Sequence, residues 1–412
     1  MEKIISANKK GSMAKWLTTN KSSTLFPPNG EYRHTPSSLH IPYWIPSIVN
    51  ESDDTTSTVF KIPHQTNTAL VDARLKVVVG IHTMASGGGG TYQRPVDYFM
   101  CRYIDKVELR QGGSVKLSMT GEEMLIMLQL DTKDEFYESR IEQLGGNLTP
   151  TERNAKATAE QTYYIGIPFF WTHTEVNAFP LFINKDNPLY LHIYWKTPTE
   201  CIETNYSSGT QTFTRSSAPT LRLECLSLTD EETAKYISDA SSSMGILYNS
   251  VEFQSYNNVL VANGNVASTD YNVTVKNINK EVYDLSVWHR PRTAVSGGTA
   301  AQLGPFTNFV ALKQFELKAN GSEFVRRETY SDFVKHVDQV YYYGTRFDTL
   351  TYPFTSRPTD RIRTGGYAHF GNIGDILFYY QLTTTLTADN RLDFYARTHR
   401  IIKATYNNLE LQ

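Results

Sequence analysis

The sequence predicts an all-β protein: two consecutive eight-stranded sandwiches of jelly-roll type, a double jelly roll, joined by a short helix. Three observations carry this. The chain has 26 Tyr and 20 Phe with many Val, Ile and Thr, residues that suit a pleated, half-buried surface, while apolar residues at helix spacing are scarce. A unit occurs twice: Pro168-Phe169, a loop and the apolar run Leu189 to Trp195 are matched by Pro353-Phe354, a polar loop and the run ending at Leu382. Between the copies, Thr229 with Glu232 three residues on forms a capping box, the mark of a helix start.

Length agrees, since 412 residues allow two domains of about 200, each burying its own core. Residues 1–24 hold Lys3, Lys9, Lys10, Lys15 and Lys21 against Glu2 alone, and have too little apolar surface to fold independently; they read as a basic N-terminal arm. The first jelly roll takes residues 25–228. Its early prolines, Pro27, Pro28, Pro36, Pro42 and Pro46, fit an extended edge segment. Thr58 to Ile62 and Ala73 to Ile81 read as strands, and the second runs into the glycine tetrad ending at Gly90. Tyr103 to Arg110 alternates and reaches Gly112-Gly113, a hairpin signal. Met119 to Leu130 reads as a short amphipathic helix with Glu122 and Glu123 near its start, and Ser139 to Gln161 as a polar surface excursion. After the Pro168-Phe169 unit comes the strand Thr220 to Leu228.

The capped linker helix occupies 229–245, running to about Ala240 before Ser241, Ser242, Ser243 and Gly245 end it. The second jelly roll takes 246–412. Its strands read as Ile246 to Gln254, Val259 to Ala262, Tyr271 to Val275, Val282 to Trp288, Phe309 to Lys318, the Leu350 to Leu382 unit and Leu392 to Ile402. Strand spacing by itself does not separate a jelly roll from another sandwich.

The chemistry is sparse. No phosphate loop, zinc-protease helix, nucleophile elbow or zinc-spaced cysteine pair occurs, so no cofactor or catalytic residue is expected. The glycine tetrad lacks a following Lys-Ser/Thr and opens no helix. His173 with Glu175 has no third ligand nearby in sequence. Arg357, Asp360, Arg361 and Arg363 form a charged loop with no nucleophile beside it, which reads as loop-anchoring or intersubunit. Asp230, Glu231 and Glu232 sit on one helix turn and cannot flank a scissile bond. Forty Lys+Arg against 42 Asp+Glu leave a net charge of -2, no field for drawing in nucleic acid. Cys101, Cys201 and Cys225, an odd number, read as buried free thiols of a reducing compartment. Six N-x-Ser/Thr sequons occur, of which Asn147 and Asn205 lie in expected surface loops. No run is long and apolar enough to span a bilayer and no signal peptide opens the chain, so a soluble, cytosolically made protein is expected.

With both units placed, the chain resembles the double jelly-roll major capsid proteins of large eukaryotic DNA viruses and their smaller relatives. The likeness rests on Glu31-Tyr32-Arg33-His34-Thr35, the hairpin Ile104 to Gly113, Gly121-Glu122 to Leu128, Ile167 to Leu181 and the junction Leu226 to Tyr236. It continues with Tyr352-Pro353-Phe354, Arg357-Pro358, Gly365-Gly366 and Phe370, then Ile376 to Leu382 and Tyr395-Ala396 with Ile401. The resemblance implies a non-enzymatic capsid subunit of an icosahedral virion: a homotrimer whose six similar corners tile like a hexagon. It further implies neighbouring capsomers and minor capsid or cement proteins as partners. The basic arm would point inward toward those proteins, membrane or genome, without reading a nucleic-acid sequence. A scaffold of immature particles and a carbohydrate-binding sandwich are the other readings.

Overall fold

The computed structural model describes residues 40–46, 56–83, 90–131, 134–172, 178–206, 212–292, 309–310, 312–320, 322–333, 335, 350–355 and 366–411. The arm lysines, His173, Glu175, Gly297-Gly298 and the Arg357, Asp360, Arg361 and Arg363 loop lie outside the described residues.

In the first half the strands are β1 (His40–Pro46), β2 (Ser57–Lys61), β3 (Thr68–Val79), β4 (Gln93–Pro95), β5 (Ile104–Gln111) and β6 (Ser114–Thr120). They continue with β7 (Gln161–Gly166), β8 (Phe179–Pro180), β9 (Leu189–Trp195), β10 (Ile202–Thr204) and β11 (Thr220–Ser227). Helices α1 (Phe99–Tyr103), α2 (Gly121–Asp131), α3 (Asp134–Gln143) and α4 (Pro150–Ala157) interrupt them, and α5 (Asp230–Ser241) follows. The second half holds β12 (Ile246–Val261), β13 (Tyr271–Val275), β14 (Glu281–Pro291), β15 (Leu312–Ala319), β16 (Ser322–Thr329) and β17 (Leu350–Pro353). It ends with β18 (Ala368–His369), β19 (Ile376–Leu382), β20 (Asn390–Thr405) and β21 (Asn408–Leu411).

Strand order shows what spacing could not. One sheet of the first half runs β1-β11-β3-β7 and the other β2-β9-β5-β6. In the second half the orders are β12-β20-β14-β17 and β13-β19-β15-β16. Taking the eight principal strands of each half in chain order, both give first-eighth-third-sixth over second-seventh-fourth-fifth, all antiparallel. That is the jelly roll, two Greek keys wound into a sandwich. The duplication extends to detail: β8 pairs with β3 and β18 with β14, each followed by a short 3-10 turn, Leu181–Asn184 or Phe370–Asn372, and then by β9 or β19.

Local sequence explains the elements. LYLHIYW in β9 and ILFYYQL in β19 bury every second side chain, so one face of each meets its core. Gly112 and Gly113 both take positive φ (57° and 82°), the two-residue turn that keeps the β5–β6 hairpin twisted correctly. Thr229 and Glu232 cap α5 reciprocally. Tyr103 belongs to α1 rather than to a strand, and the strand expected from Phe309 begins at Leu312. The polar stretch Ser139 to Gln161 is not a plain excursion but contains α4. A Thr149–Glu152 capping box starts that helix, and the buried Arg153 ties it to Glu203 and to the Pro95 carbonyl. Its polar composition concealed the T-x-x-E signature.

Candidate functional site

Among the described residues no three His, Cys, Asp or Glu side chains gather as a metal site. Burial keeps the catalytic residue types quiet: the Cys201 and Cys225 thiols are pushed up to about 12, and His82 and His289 down to about 4. All three cysteines are free and buried. A Cβ on Gly90 would fall 2.4 Å from the Tyr206 ring, so that end of the tetrad serves close packing. Asp230 accepts from Asn67 Nδ2 (2.9 Å) and Glu232 caps its helix, which accounts for that carboxylate pair. The Asn205 carboxamide accepts from the backbone of Thr91 and Tyr92 at 2.8 and 3.0 Å and so braces its loop; Asn147 is exposed at φ 54°.

What the chain does build is a polar junction between its two jelly rolls. It begins at α2. A Cβ on Gly121 would lie 2.0 Å from the Cys101 carbonyl oxygen, so only glycine lets the helix start against α1. Thr120 and Glu123 close a capping box there, with Thr120 N donating to Glu123 Oε2 at 2.8 Å and Glu123 N to Thr120 Oγ1 at 3.2 Å. Glu122 is thereby aimed at the second domain.

In β14 and β20 the residues Leu285, Val287 and Phe394 face the sandwich interior, where Phe394 meets Phe378. Alternation therefore puts Asp284, Ser286, Trp288 and Arg290 on the opposite face, with Arg391, Asp393, Tyr395 and Arg397 beside them. Arg290, fully buried, donates to Glu122 Oε1 at 3.1 Å and to Asp393 Oδ2 at 3.0 Å. Arg391 Nε holds both Asp393 oxygens at 2.7 and 2.6 Å, and its Nη2 lies 3.5 Å from Glu122 Oε2. The Tyr395 hydroxyl donates to Glu122 Oε2, and Arg397 pairs with Asp284. The Arg290 guanidinium also lies 4.7 Å from the Trp288 ring centroid.

Burial opposes charge on Glu122, yet Arg290, Lys196, Arg391 and the Tyr395 hydroxyl together hold its carboxyl well below the usual range. Glu123 goes the other way: burial first, with Glu122 and Glu252 repelling it, pushes its carboxyl up to about 7 despite the Thr120 hydrogen bonds.

Three further residues tie across the junction. Asn407, at φ 61° in the β20–β21 turn, donates its backbone N–H to the Ile183 carbonyl (2.7 Å) and its Nδ2 to Asp186 Oδ2 (2.8 Å). Gln111, buried at the β5–β6 turn, accepts from Leu409 N at 2.7 Å and donates to Asn184 Oδ1 at 2.9 Å. Tyr248 in β12 lies 4.9 Å from Phe170 and 5.9 Å from Phe179, ring to ring, and donates to the Ala178 carbonyl. The junction ties the two sandwiches to each other through ion pairs, hydrogen bonds and aromatic contacts.

Nothing in the local sequence marks Arg290, Asp393 or Asn407 as junction residues. The polar positions of β14 and β20 alternate as a solvated face would, and nothing local shows that α2 covers them. The Gly121-Glu122-Glu123 run was the one visible sign.

No protein-family model and no curated protein sequence matches the chain. Solved structures do. The PBCV-1 virus capsid, described by a quasi-atomic model, matches at TM-score 0.68 and 17% identity, covering 94% of this chain and 99% of that one. The Faustovirus major capsid protein matches at 0.64 and 10%, covering 94% of each chain. The mavirus major capsid protein matches at 0.59 and 8%, covering 90% of each. At such identities the likeness establishes the fold: this chain is a double jelly roll of the kind seen in viral major capsid proteins.

Proposed function

We propose that this chain is a major capsid protein, the repeating subunit of an icosahedral virus shell, acting by assembly rather than catalysis. The observation that carries the reading is the pair of jelly rolls with identical strand order, locked together by the Glu122–Arg290–Asp393 junction. A rigid pair of similar bodies makes a trimer with six similar corners, which can pack on a hexagonal lattice and meet its neighbours through near-equivalent contacts. A flexible pair could not, because each corner would adopt its own angle. The fold shared with the capsid proteins above adds support.

On this reading the trimer would meet neighbouring capsomers and minor capsid or cement proteins in the virion. Residues 1–24, with Lys3, Lys9, Lys10, Lys15 and Lys21, form an inner arm, and Arg357, Asp360, Arg361 and Arg363 anchor a loop or pair across subunits. The domain division follows at 25–228, 229–245 and 246–412. Light scattering on the purified protein tests the core of this. A subunit of 46.8 kDa gives a trimer of 3 × 46.8, or 140.4 kDa; a stable monomer overturns the reading. Deleting residues 1–24 is expected to impair particle assembly while leaving the trimer mass intact, apart from the lost segments.

A further inference from the structure

Ten large apolar side chains are well exposed among the described residues, and five of them gather at one place: Ile237, Met244, Leu247, Ile401 and Tyr406. Scattered exposed apolar groups are ordinary, whereas half of them around one element marks a contact surface. The element is the C-terminal end of α5. Tyr406 N donates to the Ala240 carbonyl at 3.2 Å, and a Cβ on Gly245 would meet the Ala404 carbonyl oxygen at 2.8 Å, so helix end, β12 start and β20 end lie together. Leu247 stands opposite Lys403 and Asn249 opposite Ile401, which places Leu247 and Ile401 as diagonal neighbours on one face. Tyr248, on the other face, is the residue that packs against the first domain. By alternation Leu247 and Ile401 continue the β20 face that carries Tyr395 and Arg397, and at this end of the strand that face is exposed.

We propose that this surface seats the chain's own N-terminal segment, residues 1–39. Three observations select that occupant. First, the described chain begins near the other end of α5: His40 pairs with Leu226, four residues before the helix starts. Second, reach is ample. The twelve-residue α5 is about 18 Å long, which roughly six extended residues span, and 39 residues precede His40. Third, the chemistry matches on both counts. Residues 1–24 set five lysines against one glutamate, while α5 sets Asp230, Glu231 and Asp239, none of them buried, against Lys235. Residues 1–39 carry the apolar pairs Ile4-Ile5, Trp16-Leu17 and Leu25-Phe26 to cover the exposed side chains. The inference rests on reading residues 1–24 as an arm, and it holds whether or not the trimer builds a shell.

The test uses the full chain with a benzophenone amino acid at position 247, prepared in light and heavy isotope forms and mixed. Irradiation is expected to join position 247 to peptides from residues 1–39 of the same isotope form. Cross-links to residues 40–411, light-to-heavy cross-links, or none at all overturn the seat. In parallel, Leu247→Glu with Ile401→Glu, both at exposed positions, should speed tryptic cleavage at Lys3 to Lys21 about tenfold, the factor that a loss of about 1.4 kcal/mol of docking produces. Unchanged cleavage overturns the proposal. Light scattering on the same samples keeps the two readings apart. A trimer with an unprotected arm sinks the seat alone, and a monomer with a protected arm sinks the capsid reading alone.

Discussion

The two jelly rolls share one strand order and differ in what they do with the same sheet. In the first, β11 alternates buried and half-exposed side chains, so its outer face meets solvent. In the second, β14 is buried along nearly its whole length and β20 over most of it, including the charged Arg290, Asp393 and Arg397. Topology is identical; the difference is that α2, an insertion of the first domain, reaches the second domain's outer face with Glu122. A buried charge is tolerated only when paired. The lesson is that the two domains are tied by a covered polar face as well as by apolar packing such as that of Tyr248 on Phe170 and Phe179.

Breaking that asymmetry has the largest expected effect. Arg290→Met leaves Glu122 and Asp393 short of a shared cation inside the protein and should cost about 3–5 kcal/mol. In urea the single transition expected of the parent should split in two as the domains uncouple. Arg153→Met is the matched change in the first domain, where Glu203 keeps Arg94. It should cost less and leave unfolding a single step, and equal behaviour of the two variants would remove the distinction.

Glu123 sharpens the comparison through pH. Its folded-state carboxyl, pushed up to about 7, binds a proton more tightly than in the unfolded chain, where 4.5 is ordinary. Its contribution is therefore complete below pH 4.5 and is lost as pH rises through 7, on the order of 3 kcal/mol by pH 8. Glu123→Gln keeps the acceptor for Thr120 without the charge. Its urea midpoint should match the parent's at pH 4 and exceed it at pH 8; a pH-independent difference would show that the charge is not the cause.

Smaller effects should track burial. Thr229→Ala removes the α5 cap and is expected to lower stability by about 1 kcal/mol, read as a fall in thermal midpoint. Asp72→Asn breaks the surface Arg74 pair on the first domain's solvent-facing sheet and should change stability by about 0.5 kcal/mol or less. A loss there as large as at Arg290 would mean that this face, too, is covered in the folded protein.

The sequence by itself determined the β class, the duplication, the β5–β6 turn and the α5 cap, because each depends on residues within one or two turns or strands of one another. Alternation in LYLHIYW and ILFYYQL sets a strand's buried face wherever the strand sits. Tertiary structure decided the rest. Arg290 meets Glu122 across 168 residues of chain and Asp393 across 103, and the polar face of a strand reads the same whether it meets water or a buried partner. Asn407 needed an αL turn facing Asp186, 221 residues away, to become a tie. Local pattern specifies which face is polar; only the packed fold specifies what that face touches.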